Sequence, residues 1–190
     1  MHLKKVHIET NKLFYGSPVV LIGYKDELYG YNVTTINAAY TVSNTVAIAL
    51  YNGNHSFEEI KKTGQFTLNV PDKNQMELIE LFGFNRGKDK LNQANTHFTI
   101  GEKVDAPILT ECFYNVECQV VSMTEVGVYT HILATIEERW IDEECVDENG
   151  HLIHGKVNPV EFVGDSKKRA YRYLTSDVQE VGAFKRYLDK

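Results

Sequence analysis

The chain alternates short apolar runs with polar turns, and most of the apolar runs have the length of β-strands. Runs rich in Val, Ile, Thr and Tyr that end at Gly, Asp or Asn are typical of buried strands. The pattern predicts strands at 17–24, 28–36, 45–52, 65–70, 112–125, 128–142 and 157–164. Gly127 lies between the two longest runs, which predicts that they form a hairpin.

Helix signals are fewer and lie between the predicted strands. Ser56 and Glu59 have capping-box spacing, and Gly64 is expected to end the short helix that they begin. The same spacing recurs at the start of a second predicted helix over 72–83, and a third helix is predicted over 176–188. The polar segment 83–98 is expected to be a loop with one helical turn.

This succession of elements indicates a mainly β protein. It lacks the regular β–α alternation of a parallel sheet, so we expect a closed or half-open antiparallel barrel with short helices outside it. The sequence contains no repeat and no Pro/Gly-rich linker, so we predict one domain over residues 1–190 with a C-terminal helical extension.

Composition narrows the function classes. The 190 residues carry 20 Lys and Arg against 26 Asp and Glu, and this net charge of −6 argues against nucleic-acid binding. No apolar run approaches the length of a membrane span, and the first ten residues lack the apolar core of a secretion signal. We therefore expect a cytoplasmic protein. The three cysteines form no CxxC pair, which argues against a disulfide framework or a zinc site.

Residues 31–44, YNVTTINAAYTVSN, begin as a strand and then fill with small and hydrogen-bonding residues. Thr34, Thr35 and Asn37 offer hydroxyl and amide groups, and Ala38 and Ala39 would let a flat ligand approach the backbone. The alternative is an ordinary polar loop between two strands.

Two further segments could hold a phosphate. Asn54, His55 and Ser56 directly precede a predicted helix, whose first N–H groups favour anions. The basic segment 86–90, RGKDK, could neutralise the same charge. The alternatives are a simple helix cap and a solvated charged turn. His131 lies on one face of a long strand with Tyr129 and is either a surface histidine or a group near a ligand.

Taken in order, these segments resemble one family, the flavin reductase-like FMN-binding split-barrel proteins. The resemblance covers roughly residues 13–165, and TGxFxxNVP is its most specific part. The matching residues are Pro18, Asn32, Thr35, Val42, Ser43, Ser56, Ile60, Thr63, Gly64, Phe66, Asn69, Val70, Pro71 and, further on, Asp89, Lys90 and Leu91.

The resemblance implies an antiparallel split β-barrel that forms a homodimer with FMN near the interface. By position it implies flavin contacts from Asn32, Thr34, Thr35, Ile36 and Asn37, with Ser43 and Asn44 nearby. It implies phosphate contacts from Asn54, His55, Ser56 and Lys90, and His131 as a group near the nicotinamide.

Three functions are compatible with the resemblance. The first is an FMN-dependent oxidoreductase that takes hydride from NAD(P)H and passes electrons to an acceptor or a redox partner protein. The second is a flavoredoxin-like electron carrier without a nicotinamide site of its own. It gains support because Tyr129-Thr130-His131 stands where many members have Gly-Asp-His. The third is a dimeric binding module that has lost its flavin.

Overall fold

Three antiparallel sheets form the framework of the protein, of which a computed structural model describes residues 4–175, 177–179 and 181. The strands are β1 (Leu13–Pro18), β2 (Val20–Asp26), β3 (Gly30–Ile36), β4 (Ala39–Val42), β5 (Thr45–Tyr51), β6 (Gln65–Val70), β7 (Phe98–Ile100), β8 (Pro107–Leu109), β9 (Tyr114–Val126), β10 (Tyr129–Ile141), β11 (Val160–Asp165) and β12 (Arg169–Tyr173). The helices are α1 (His55–Thr63), α2 (Met76–Phe84) and α3 (Lys90–Ala94), with 3-10 turns at Lys73–Gln75 and Glu143–Cys145. The strand orders are β3-β2-β6-β9-β10-β5-β4, β1-β11-β12 and β7-β8. The predicted mainly β, antiparallel architecture with short helices is confirmed.

The seven-stranded sheet has a core on each side of β2. Residues of β5 and β10 that alternate along each strand fill the first core, and Val20, Ile22 and Tyr24 of β2 join them. Val19 and Leu21 point the other way, into a second core that includes Ile79 and Phe82 of α2. Because both faces of β2 are buried, its sequence reads as a continuous apolar run and not as an alternating one.

The prediction of one strand over 17–24 is wrong in its extent. The chain instead forms β1 and β2, which belong to different sheets and meet at Val19. The N–H of Val19 donates to the carbonyl of Val160 at 2.8 Å, at the crossing point between the sheets. The change of sheet depends on a partner about 140 residues later in the chain, so the local pattern gives no signal for it.

The segment after β3, for which an ordinary polar loop was the alternative interpretation, contains a strand. Ala39–Val42 forms β4 and pairs with β5 in a tight hairpin, in which Ser43 has a positive φ of 54°. The short strands β7, β8 and β12 were not predicted either. The β9–β10 hairpin was predicted and is confirmed, with Val126 opposite Tyr129.

The helix ends agree only in part with the predicted caps. The capping box at Ser56 is wrong: the N-cap is Asn54, two residues earlier, and the Ser56 side chain is buried in the first turn of α1. Gly64 does end α1, with a left-handed φ of 67° that favours glycine. The Asp72–Gln75 capping box is confirmed, and it caps the 3-10 turn that leads into α2.

The remaining predictions concern the loop after α2 and the C-terminus. The predicted helical turn is α3, and the Asp89 carboxylate accepts a hydrogen bond from the N–H of Asn92 at its start. The helix predicted over 176–188 lies outside the described residues apart from 177–179 and 181. Within the described chain, no helix is long and apolar enough to cross a membrane.

Candidate functional site

The C-terminal end of β3 lies where three cavities meet. We call them the polar cavity, of about 220 Å³, the apolar cavity, of about 480 Å³, and the sheet-face cavity, of about 640 Å³. Thr35 and Gly83 line both the polar and the apolar cavity, and Asn37 lines both the apolar and the sheet-face cavity. The residues predicted from the sequence at 34–37 therefore connect all three.

The four residues predicted to contact the phosphate line the polar cavity, together with three of those predicted to contact the flavin. The loop after β5 and the start of α1 provide one wall, the end of β3 a second, and the segment from α2 to α3 a third. The predicted residues on these walls are Asn32, Thr34, Thr35, Asn54, His55, Ser56 and Lys90. Three segments that are far apart in sequence are thus brought to one small cavity.

The N-terminus of α1 opens into this cavity. Asn54 has extended backbone angles and, in the described structure, its side chain caps no N–H of the helix. The N–H groups of Phe57 and Glu58 bond to the Asn54 carbonyl, which leaves the N–H groups of His55 and Ser56 at the cavity end. Uncapped N–H groups and the helix dipole favour an anion at this position.

His55 is held by a buried carboxylate. Its Nε2 lies 2.9 Å from Oδ2 of Asp26, which is 1% exposed. Burial by itself raises the pKa of Asp26, but hydrogen bonds from Asn32, from the N–H of Leu28 and from His55 outweigh it and hold the pKa below its usual value. Asp26 is therefore a carboxylate that fixes the orientation of the imidazole.

Lys90 is the buried cation of the cavity. It is 5% exposed, and its Nζ donates to the carbonyl of Phe82 at 3.0 Å. Burial lowers its pKa from 10.5 to about 8, against the opposing effect of the Asp26 charge. A buried ammonium with one protein acceptor has protons left to donate to an anion. Arg86 lines the same cavity from the exposed loop.

Gly83 and Thr35 form the passage from the polar to the apolar cavity. The Thr35 hydroxyl donates to the carbonyl of Ile79 at 2.7 Å, which ties β3 to α2. A Cβ at Gly83 would lie 3.3 Å from the Thr35 Cβ, so a larger residue would narrow the passage. The apolar cavity beyond is lined mainly by Val19, Ile36, Ile79, Phe84, Phe162 and Tyr171.

Asn37 carries a hydrogen-bond donor without an acceptor. Its Nδ2 is buried and has no partner among the described residues. Such a group is costly unless a ligand or water supplies an acceptor. Because Asn37 faces both the apolar and the sheet-face cavity, either could hold that acceptor.

His131 lines the sheet-face cavity on the exposed face of β10. Thr130, Ile132 and Ala134 point into the core, so the predicted alternation along this strand is confirmed. Around His131 the sheet exposes apolar side chains that share its face, namely Tyr40, Val42, Tyr51, Val126, Tyr129 and Leu133.

Three of the residues predicted to contact the flavin either lie away from the cavities or have an amide group that is already hydrogen-bonded. Ser43 and Asn44 form the β4–β5 turn and line none of the three cavities. The Asn44 amide donates to the carbonyl of Ile136 and accepts from Arg139. Asn32 lines the polar cavity, but its amide nitrogen already donates to Asp26 and to the carbonyl of Lys88.

Sequence reasoning missed Asp26 and Gly83. The sequence pattern places Asp26 in a turn, because it stands beside Glu27 at the end of an apolar strand. Its partner His55 is 29 residues away, so no local pattern joins them. Gly83 follows the apolar stretch of α2 and is expected to end the helix, although α2 continues to Phe84.

Comparisons with known proteins identify the family of the chain. The family model described as "Flavin reductase like domain" matches residues 13–161. An uncharacterised protein of Pyrococcus abyssi is 26% identical over 102 residues, which span 54% of this chain and 58% of that protein. The chain thus spans little more than half the length of this curated relative.

Solved structures share the fold at low identity. Flavoredoxin of Desulfovibrio vulgaris (Miyazaki F) superposes with a TM-score of 0.86 at 22% identity, covering 95% of this chain and 99% of that one. Flavoredoxin from Methanosarcina acetivorans gives 0.87 at 20% identity, covering 98% and 100%. An FMN-binding protein from Thermus thermophilus gives 0.76 at 16% identity, covering 95% and 99%. The predicted split-barrel fold is confirmed, and the chain belongs to the flavin reductase-like family of flavin-binding proteins.

Proposed function

We propose that the protein binds FMN and is an oxidoreductase of the flavin reductase type, which takes hydride from NAD(P)H and passes electrons to an acceptor. One observation carries the proposal: a small polar cavity with an anion-binding helix end and a buried lysine opens into a larger apolar cavity at Thr35 and Gly83. FMN has the matching shape, with a phosphate at one end and a flat, mostly apolar ring at the other.

The residues of the polar cavity fit a phosphate monoester. The first N–H groups of α1, the Ser56 hydroxyl and the Lys90 ammonium are donors suited to a dianion, and His55 is oriented by Asp26. A phosphate would also supply the acceptor that the remaining Lys90 protons lack. The volume of about 220 Å³ suits the phosphate and its polyol chain but not the ring.

The ring would then lie in the apolar cavity. At about 480 Å³ this cavity has the size of an ordinary small-molecule site. In this placement Thr35 and Ile36 contact the ring, and the free Nδ2 of Asn37 donates to an acceptor on its polar edge. The bound flavin supplies the redox chemistry, while the protein binds the ring, orients it and controls access to it.

The nicotinamide would enter from the sheet-face cavity. Asn37 lies on the boundary of the two cavities, and His131 faces this side. His131 is a candidate for the group that positions the nicotinamide amide. NAD(P)H is a cytoplasmic reductant, so the proposal also places the protein in the cytoplasm.

A second copy of the chain would cover the sheet-face cavity. The exposed apolar side chains around His131 form a continuous face on β4, β5, β9 and β10. Exposed apolar faces of this kind mark interaction sites, and identical chains most often pair about a two-fold axis. We therefore propose a homodimer with FMN near its interface.

The names of similar structures support both flavin functions. They include the two flavoredoxins, the FMN-binding protein, and a flavin reductase named PheA2, which superposes with a TM-score of 0.65 at 19% identity. An FMN electron carrier without a nicotinamide site is the second candidate. The replacement of Gly-Asp-His by Tyr129-Thr130-His131 favours it.

The deciding experiment is an absorption spectrum of the purified protein, repeated after addition of FMN and dialysis. An oxidised-flavin spectrum that survives dialysis supports the site, and anaerobic addition of NADH or NADPH then separates the two candidates. Bleaching of the flavin supports the reductase. Bound FMN that neither nicotinamide reduces, but that a donor protein does, supports the carrier.

A protein that neither retains FMN nor oxidises NAD(P)H in its presence would refute both candidates. The remaining interpretation would be a dimeric binding module that has lost its flavin. A variant with Ser56→Ala and Lys90→Met serves as the control for site-specific binding. It should release FMN from a protein that otherwise holds it.

A further inference from the structure

The sheet-face cavity has an uncharged lining. Among the described residues that line its volume of about 640 Å³, none is Lys, Arg, Asp or Glu, and the titratable ones are Tyr15, Tyr40 and His131. The polar cavity, in contrast, contains both Arg86 and Lys90. The phosphates of a nucleotide would therefore find no ammonium or guanidinium partner in the lining of the sheet-face cavity, which suits an uncharged ligand.

Two alanines of β5 form a flat floor in this cavity. Ala47 and Ala49 lie two residues apart and so point to the same side of the strand, where both line the cavity. Val46 and Leu50 alternate with them and are buried in the core. Because neither alanine has a side chain beyond Cβ, a flat molecule can lie close to the sheet here.

Hydrogen-bonding side chains lie on both sides of the alanine floor. Tyr40 of β4 is paired with Ala47, and His131 of β10 is paired with Ala49. Neighbouring strands are about 4.8 Å apart, so the backbones of β4 and β10 are roughly 10 Å apart, with β5 between them. Both side chains are exposed, and each can donate a hydrogen bond, from the Tyr40 hydroxyl and from a ring N–H of His131.

A bulge in β1 provides a wall of the cavity. Residues 15–18 line it, and the register with β11 shifts between Tyr15 and Ser17. Gly16, inside the bulge, has a φ of 112°, which favours glycine. The cavity is thus built from both the three-stranded and the seven-stranded sheet, and the proposed second copy of the chain would cover its open side.

We propose that the sheet-face cavity binds a small uncharged quinone, which is the acceptor that oxidises the reduced flavin. A para-quinone is flat and has a carbonyl acceptor at each end, which matches an alanine floor between Tyr40 and His131. The inference rests on the proposed function, because it takes the flavin ring to lie on the other side of Asn37, in the apolar cavity.

The reaction transfers two electrons. The N5–H bond of the reduced flavin breaks, and its hydride forms an O–H bond at one carbonyl oxygen of the quinone. The other oxygen takes a proton from solvent, which gives the hydroquinone and the oxidised flavin. Tyr40 and His131 hold the two oxygens and so orient the ring. The nicotinamide ring would occupy the same cavity earlier in the cycle, with its phosphates outside, so that reductant and acceptor alternate.

The first test measures quinone binding by the flavin-free protein. Menadione, an uncharged naphthoquinone, is titrated by calorimetry, and naphthoquinone sulfonate is the charged comparison. The cysteines of the described structure are buried, so they offer these quinones no exposed thiol. Ala49→Leu fills the floor, and Tyr40→Phe removes one donor while it keeps the ring. Val126→Phe is the control, because it adds similar bulk on the same exposed face but outside the cavity.

We expect the native protein and the control variant to bind menadione with equal affinity. Ala49→Leu should bind it at least about tenfold more weakly, because the larger side chain occupies the floor. Tyr40→Phe should bind it about fivefold more weakly, because one hydrogen bond is lost. Since Tyr40 is exposed, this variant decides the test even if Ala49→Leu does not fold.

Three results would overturn the inference, whether or not FMN binds. The first is a native protein that does not bind menadione. The second is equal affinity for menadione in the native protein and in Tyr40→Phe. The third is tighter binding of naphthoquinone sulfonate than of menadione, because the uncharged lining would then not select the ligand.

The second test uses the FMN-loaded protein. The flavin is reduced photochemically without oxygen, and its reoxidation by subsaturating menadione is followed by stopped flow. Reoxidation should be about fivefold slower in Tyr40→Phe, while the FMN content and the rate of flavin reduction by NAD(P)H are unchanged. An unchanged rate of reoxidation would overturn the inference. A protein that holds no FMN would instead refute the proposed function, whereas the titration of the flavin-free protein decides the quinone site by itself.

Discussion

Replacement of Lys90 by methionine should make the protein more stable while weakening its hold on FMN. The native lysine is 5% exposed, and burial lowers its pKa from 10.5 to about 8. At about 1.4 kcal/mol per pKa unit, keeping this ammonium charged inside the protein costs about 3 kcal/mol at neutral pH. Methionine has a similar length and no charge, so the variant avoids this cost.

The hydrogen bond to Phe82 sets the size of the net effect. Its loss costs about 1 kcal/mol, so Lys90→Met should raise the free energy of unfolding by about 2 kcal/mol at pH 7. The same change removes a charged donor from the phosphate site. Affinity for FMN should fall by about 2 kcal/mol, which is roughly thirtyfold.

The pH dependence distinguishes this account from a general packing effect. The folded-state pKa of Lys90 is below its unfolded value, so between about pH 8 and 10.5 the unfolded native chain binds more protons than the folded one. Stability of the native protein should therefore rise with pH across this window relative to the variant. The variant's gain in free energy of unfolding over the native protein should shrink above pH 8 and change sign near about pH 10.

Urea unfolding of the flavin-free proteins at pH 7 and pH 10, followed by tryptophan fluorescence, measures these differences. Lys88→Met is the matched control, since Lys88 lies in the loop directly before α3 and is exposed, and its replacement should change stability by less than about 0.5 kcal/mol. A Lys90→Met protein that is less stable than the native one at pH 7 would refute the reasoning.

Three further predictions follow from the same site. Affinity for FMN should fall as the pH rises above about 8 and Lys90 loses its proton, by no more than the roughly thirtyfold expected for Lys90→Met. Affinity for riboflavin, which lacks the phosphate, should not change over the same pH range, and fluorescence titration at several pH values tests both. Gly83→Ala should weaken FMN binding about tenfold, because the added methyl group narrows the passage beside Thr35. It should change the free energy of unfolding by less than about 1 kcal/mol, because alanine favours the helix. An unchanged affinity for FMN would count against a ring in the apolar cavity. Asp26→Asn should lower stability by about 1–3 kcal/mol at pH 7 and also lower FMN affinity. The stability difference should begin to shrink below the ordinary aspartate pKa of about 4 and be lost as the pH falls through the lower pKa of the folded Asp26 carboxylate; Glu27→Gln, at the exposed neighbour, is the control.

Local signals in the sequence determined the elements near the site. The β9–β10 hairpin followed from two long strand runs separated at Gly127, and the end of α1 followed from a glycine that can adopt a left-handed conformation. The Asp72–Gln75 cap could also be predicted, because its hydrogen bonds lie within four residues. The alternation along β10 placed His131 outside the core for the same local reason.

Residue chemistry also indicated the character of the site. The sequence places hydroxyl, amide and imidazole groups before a predicted helix and a lysine further on. The chemistry of these groups alone suits them to binding an anion. The residues at 34–37 point to a ligand because small and polar groups follow a strand there. The structure places Thr34, Thr35, Asn54, His55, Ser56 and Lys90 around one cavity.

The tertiary structure alone decided what depends on contacts between distant segments. The change of sheet at Val19 follows from pairing with β11, about 140 residues later in the chain. The Asp26–His55 pair, the burial of Lys90 and the passage at Gly83 likewise arise where separate elements pack. Burial and long-range pairing determine the pKa of a group and the shape of a cavity. The residues next to a group in sequence indicate neither its burial nor its long-range partners. The sequence therefore determined which groups were available, and the packing of β3, α1 and α2 decided which of them could act together.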